Sequence, residues 1–189
     1  MAEEVYNWNM RAKVLKYDGE LVRNFVATHG FEPKQADFEA YGILPTDEVE
    51  IDGNGLLNGG KQRISDLITG TGSPQAFNLA RGVAGVGNGT GGFSAAHTSL
   101  QGASQYYLGL DAAPTSVTGV ITASATFGAG IAEFTWEEWG WAIATAAPVP
   151  NASFATATTS GVMLNRKLQT LGGKSGGAVW VLQATATQS

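Results

Sequence analysis

The chain has 189 residues, 43% hydrophobic and only 14% charged, with a formal net charge of −5 and no cysteine. An average soluble domain is roughly a quarter charged; this acidic, charge-poor chain has no electrostatic footprint for nucleic acid or an anionic membrane, and without thiols it has no disulfides, thiolate nucleophiles or common zinc sites. The start Met1-Ala2-Glu3-Glu4 is acidic where a secretory signal is basic, and no apolar run reaches the roughly 18 residues of a membrane span, so the expectation is synthesis in a cytosol.

Charge and glycine divide the chain. Residues 1 to 67 hold 19 of the 27 charged side chains, while the part from Gly70 onward holds 19 of the 26 glycines, with many Ala, Thr and Ser residues in short runs broken by turn signals. Such punctuation belongs to a β-sandwich or barrel. A surface so poor in charge is tolerated when copies of the chain or another protein cover it.

Residues 1–53 read as an N-terminal arm. Val14–Tyr17 and Glu20–Val26 flank Asp18-Gly19, a dipeptide suited to a two-residue turn, which predicts a β-hairpin. Residues 29–53 show no sustained period and contain Pro33 and Pro45, which predicts an extended acidic connection ordered by a partner surface. Val5, Tyr6, Trp8 and Phe25 are the candidate partner-binding anchors of this arm, because buried aromatic rings dominate docking energetics. Residues 54–189 read as the sandwich domain, opening with a short helix over Leu56–Ile68. There Leu57, Ile64, Leu67 and Ile68 share a helical face, Asn54 or Asn58 can cap the start, and Gly70 can end it.

The strand signal is strongest over Val117–Ile143. Thr118, Thr122, Ser124 and Thr126 alternate with Ile121, Ala123, Ala125 and Phe127, and after Gly128-Ala129-Gly130 the apolar parity passes to Ala132, Phe134 and Trp136. A hairpin with a four-residue loop is expected, setting Phe127 against Ala132, Ala125 against Phe134 and Ala123 against Trp136. Beyond Glu138 the apolar parity moves to Trp139, Trp141 and Ile143, as a bulge at Glu137 or Glu138 would cause. At the C-terminus Trp180, Leu182, Ala184 and Ala186 form one face and Gln183, Thr185 and Thr187 the other, a half-buried antiparallel strand.

Motifs that imitate active sites fail on context. Gly87-Asn88-Gly89-Thr90-Gly91-Gly92 spaces glycines as a dinucleotide loop does, but no βαβ unit surrounds it, and it reads as a flexible loop. Gly173-Lys174-Ser175 copies the end of a phosphate-binding loop, yet the position five before Gly173 is Leu168, and a hairpin turn fits better. Glu137 and Glu138 are strand neighbours pointing to opposite faces, so they cannot flank one glycosidic bond. His29 and His97 share no metal-ligand spacing, and the Asp47, Glu48 and Asp52, Asn54 pairs lack the twelve-residue calcium loop. Asn88-Gly89-Thr90 and Asn151-Ala152-Ser153 fit the glycosylation triplet, but without a secretory signal they read as turns. Trp136 falls on the core parity, and Tyr106 and Tyr107 face opposite ways, which favours core or subunit interface over a sugar platform. No catalytic residue, cofactor or metal is expected.

The stretch Ala125-Thr126-Phe127-Gly128-Ala129-Gly130 through Phe134-Thr135-Trp136-Glu137-Glu138-Trp139-Gly140, then Met163-Leu164-Asn165-Arg166-Lys167, Leu171-Gly172-Gly173-Lys174 and Trp180-Val181-Leu182, resembles a family of tailed-bacteriophage virion proteins. Gly53-Asn54-Gly55-Leu56-Leu57-Asn58-Gly59-Gly60 and Gly85-Val86-Gly87-Asn88 extend the resemblance over roughly residues 53–189. The Ala- and Thr-rich stretch Ala144–Ser160 departs from it as an insertion, expected to be an exposed loop. The resemblance implies a structural role and supplies no catalytic residues.

The expectation is therefore an all-β antiparallel sandwich, jelly-roll or immunoglobulin-like, with one short helix and an N-terminal hairpin arm. Its expected function is that of a capsid decoration protein in the virion, binding the major capsid protein and itself as a homotrimer, with no nucleic acid or membrane partner. The alternative is a minor tail or tail-fibre protein with a receptor- or carbohydrate-binding surface.

Overall fold

The computed structural model describes residues 8–53 and 55–188. Strand β1 (Trp8–Tyr17) alternates strictly, Met10, Ala12 and Val14 entering one core while Leu15 and Tyr17 enter another on the opposite face. It is flanked by β2 (Asp47–Asp52) and by the C-terminal strand β11 (Val179–Gln188), both antiparallel. Beyond β11 lie β7 (Val120–Phe127) and β6 (Thr115–Val117), giving a five-stranded sheet of order β2-β1-β11-β7-β6. The second sheet runs β3 (Gly55–Leu56), β10 (Asn165–Gly173), β8 (Thr135–Ile143), β4 (Gly82–Gly87) and β5 (Gln105–Gly109), with β9 (Val162–Met163) also on β8.

The sheets face each other across one apolar layer. Ala123, Ala125, Phe127, Trp180, Leu182, Ala184 and Ala186 of the first meet Val86, Leu108, Trp136, Trp139, Trp141 and Leu171 of the second. Trp136 packs edge-on against Phe127 and Trp180, each at 4.8 Å between ring centres. The chain is thus an antiparallel β-sandwich, and the predicted faces of β7 and β11 are those observed.

Among the described residues four helices cover the outer faces, where one was expected. On the first sheet, α1 (Gly19–His29) and α2 (Gln35–Ala40) bury Val22 and Phe38 against Leu15, Tyr17, Val179 and Val181, and Tyr17 stacks on Phe38 at 3.7 Å. On the second sheet, Leu57 at the start of α3 (Asn58–Thr69) and Ala157 of α4 (Phe154–Thr158) pack with Val83, Tyr107, Ala142 and Met163. Helix α4 lies in the stretch expected to be an exposed loop. Helix α3 matches the predicted helix and ends at Gly70 in the left-handed region, but Leu57 occupies its N-cap without a side-chain bond. Leu67 and Ile68 of its apolar face remain exposed, Ile68 at 81%.

Four expectations are corrected. Asp18-Gly19 is a helix start and not a hairpin turn: Asp18, at φ −68°, accepts the backbone N–H groups of Glu20 (3.0 Å) and Leu21 (2.8 Å), which is N-cap chemistry, whereas the paired turn needs positive φ at both central residues. Residues 8–52 are not an arm outside the sandwich, because they supply two strands of its first sheet. The expected β7–β8 hairpin is absent: Phe127, Ala125 and Ala123 pair with Trp180, Leu182 and Ala184, and residues 128–134 carry the chain from one sheet to the other. The connection at Lys174 likewise joins β10 to β11 across sheets and is not a hairpin turn. An irregularity does lie at Glu137, but the extra residues belong to β10 and not to β8: Gln169, Thr170 and Leu171 stand against Glu137 alone, between the pairs Leu168–Glu138 and Gly172–Trp136.

Candidate functional site

Across that irregularity Trp136, Trp139 and Trp141 all enter the core, while Glu138 is fully buried beneath the glycine-rich segment that follows β4. Its Oε2 accepts from Arg166 Nε at 2.5 Å, and Oε1 accepts from the backbone N–H groups of Gln101 (2.8 Å) and Gly102 (2.7 Å). Arg166, also without exposure, donates from its terminal nitrogens to the carbonyls of Gly91 (2.9 Å) and Gly92 (3.1 Å). His97 Nδ1 stands 3.3 Å from Arg166 and 3.3 Å from the Ser94 N–H, between two donors, and so acts as an acceptor. A Cβ on Gly87 or Gly89 would fall on the Glu138 carboxylate, so the glycine spacing that imitates a nucleotide loop serves close packing over an ion pair.

Both carboxylate oxygens are engaged by groups of the chain itself, and the Glu138 side chain is fully buried. Glu137 faces the other way and accepts from Thr170 Oγ1 at 2.5 Å. Tyr107, buried beside the network, donates to Gln105 Oε1 (2.6 Å) and accepts from the Leu100 N–H (3.2 Å), and burial raises its phenol above the ordinary range.

A second buried cation lies at the corner between the sheets. Lys174 Nζ donates to the carbonyls of Gly128 (2.9 Å) and Ile131 (2.8 Å), with no carboxylate in salt-bridge contact among the described residues. Desolvation lowers its pKa to about 8, against opposing pulls from Glu133 and Glu32. Among the described residues no group of three His, Asp or Glu side chains could hold a metal ion, and no helix is long and apolar enough to cross a membrane.

The open features are surfaces. A groove of about 500 Å³ on the outer face of the first sheet is floored by Thr122, Ser124, Gln183 and Thr185 and edged by Gln35, whose buried Oε1 has no hydrogen-bond partner among the described residues. A smaller, almost wholly apolar slot of about 130 Å³ opens between the sheets at the Met10 end of β1, lined by Phe77, Ile121, Trp141 and Ala184 and rimmed by Arg63, Ile64 and Leu67 of α3. Around Phe25, the rings of His29, Phe31 and Tyr41 cluster at 4.4, 5.3 and 5.4 Å. Phe31, Tyr41 and Leu44 are exposed, Leu44 at 79%.

The expected anchors separate in this geometry. Phe25 is buried in its own chain between α1 and α2, so it cannot insert into a partner; the helix period of Val22, Phe25, Val26 and His29, hidden by the hairpin reading, explains why. Trp8 begins β1, opposite Gln188. Val5 and Tyr6 lie outside the described residues. The sequence reading missed Arg166 and Lys174, whose only signal was isolation: they are two of the eight charges after residue 67. The chain matches no protein-family model, no curated protein and no solved structure.

Proposed function

We propose that this chain is a structural protein of a tailed-phage virion, a non-enzymatic capsid decoration protein that binds the assembled head and associates with copies of itself. The observation that carries the reading is the contrast between an interior whose ionised groups are bound by the chain itself and a surface that keeps Phe31, Tyr41, Leu44 and Ile68 in water. Exposed apolar side chains gathered around an aromatic cluster mark a docking surface. The role first given to Phe25 passes to the rings above it, Phe31 and Tyr41. Stabilisation follows from mass action: a protein that binds the shell of major capsid subunits but not the free subunits shifts the equilibrium toward the shell.

Purified protein should bind assembled heads saturably and free capsid subunits not at all, and Tyr41→Asp with Leu44→Asp should weaken that binding by roughly ten-fold or more. Equal binding to free subunits, or wild-type occupancy by the double variant, would overturn this reading. The groove over Thr122, Ser124 and Gln183 favours the second reading, a minor tail or fibre protein whose hydroxyl- and amide-lined surface takes a polar receptor. Saturable binding to a host surface glycan, competed by changes in that groove, would select it.

A further inference from the structure

Negative charge is concentrated in the segment that exposes the aromatic patch. Residues 18–52, which supply α1, α2 and β2, hold nine carboxylates against Arg23 and Lys34, a formal charge of −7 in a chain that totals −5. The same segment carries the exposed Phe31, Tyr41 and Leu44. Part of the charge is engaged at home: Asp18 caps α1, Asp37 accepts the Lys34 N–H, and Asp47, Glu48 and Asp52 pair with Lys16, Lys13 and Arg11. Glu20, Glu32 and Glu39 form no ion pair among the described residues. Each adjoins the patch. Glu20 lines a shallow groove of about 520 Å³ together with Leu21, Phe25, His29 and Ile43, Glu32 follows Phe31, and Glu39 lies in the last turn of α2, two residues before Tyr41.

An occupant of this surface must meet exposed rings and aliphatic carbons with apolar groups of its own, and meet unpaired carboxylates with positive charge. Lysine and arginine suit the rings as well, since a cation is drawn to an aromatic face. Polyanions such as nucleic acid or an anionic lipid surface are repelled. We propose that the surface formed by α1, α2 and Ile43-Leu44 receives a short protein segment in which an aliphatic side chain is flanked by Lys or Arg. The aliphatic group enters the groove between α1 and Ile43, and the flanking cations lie against Glu20, Glu32 and Glu39. From Glu20 to His29 the helix axis runs about 14 Å, the reach of roughly four extended residues. The inference rests on the capsid reading for the owner of that segment and on the surface itself for its chemistry. The competing occupant is a second copy, whose α3 offers Lys61 and Arg63 with the exposed Leu67 and Ile68; Asp66 on the same helix leaves α3 a net charge of only +1.

Titration of the full chain with synthetic peptides, followed by NMR, tests the chemistry without the particle. A peptide alternating Leu and Lys should bind saturably and shift the amide signals of residues 20–44, while Leu-Glu and Ser-Lys counterparts of the same length should bind roughly ten-fold more weakly or worse. Joint replacement Glu20→Gln, Glu32→Gln and Glu39→Gln should weaken Leu-Lys binding by about ten-fold and remove most of its salt dependence. All three side chains are exposed, and glutamine keeps the acceptor that Gln35 Nε2 bonds at 2.6 Å on Glu39, so the variant retains the fold. Equal binding of the Leu-Glu or the Ser-Lys peptide, shifts confined to other residues, or a triple variant that binds as the wild type does would overturn the proposal. Sedimentation addresses the competing occupant: self-association abolished by Lys61→Glu with Arg63→Glu and restored by Glu20→Lys with Glu39→Lys would give the surface to a second copy and overturn it too. The head assay separates this inference from the capsid reading. Heads bound equally by the wild type and the triple variant sink this inference alone, whereas peptide binding without head binding sinks the capsid reading and leaves the chemistry of the surface standing.

Discussion

Arg166 and Lys174 are two buried cations that pin two glycine-containing segments by opposite means. Arg166 is paired with Glu138 and spreads its remaining donors over the Gly91 and Gly92 carbonyls and His97. Lys174 has two carbonyl oxygens and, among the described residues, no contacting carboxylate. Burying a charge is tolerable when a counter-charge and hydrogen bonds replace its water; where only dipoles replace it, the group moves toward neutrality. A neutral lysine amine still carries two N–H donors, enough for Gly128 and Ile131. The loop over Glu138 is thus held by an ion pair whose partners depend on one another, and the corner between the sheets by a group whose charge the fold resists.

The largest effect should come from breaking the pair on one side. Arg166→Met leaves Glu138 buried without its counter-charge, and denaturant unfolding should show a loss of about 3–5 kcal/mol. Adding Glu138→Gln, which keeps an acceptor for Gln101 and Gly102, should recover much of it. Simple additivity of the two changes would show that the residues are not coupled.

At the Lys174 corner the comparison is sharpened by pH. The folded pKa of about 8 lies below the ordinary 10.5, so between those values the unfolded chain binds more protons and stability rises with pH. Below about pH 8 both states are protonated and the burial cost is fully present. Thermal unfolding of the wild type and of Lys174→Met should therefore diverge from pH 8 to 10.5, the wild type gaining on the variant; parallel curves would mean that Lys174 is not desolvated. A smaller effect belongs to the start of α1, where Asp18→Ala should cost about 1 kcal/mol through the lost N-cap. A neutral result there would revive the turn reading of Asp18-Gly19.

Which side of each strand faces inward was legible in the sequence, because alternation is a local property. Ile121, Ala123, Ala125 and Phe127 point inward as their period demands, and the parity slip from Trp136 to Trp139 marked a real register shift, although its extra residues lie on β10. Partner choice was not legible. The same alternation that orients β7 would let it pair with β8 across Gly128–Gly130, and only the assembled sandwich shows that Phe127 and Trp136 meet between the sheets and not along one. Asp-Gly was ambiguous for a similar reason, since the residues that favour a tight turn also cap helices. The Glu138–Arg166 pair spans 28 positions and left no local trace.

The most direct test of the proposed role is the place of this chain in an electron density map of the intact phage particle proposed to carry it. The account predicts sandwich density on the outside of the head, with the Phe31, Tyr41 and Leu44 surface against the capsid and copies arranged about a symmetry axis. Density confined to the tail, or a head position with that surface facing solvent, would contradict it.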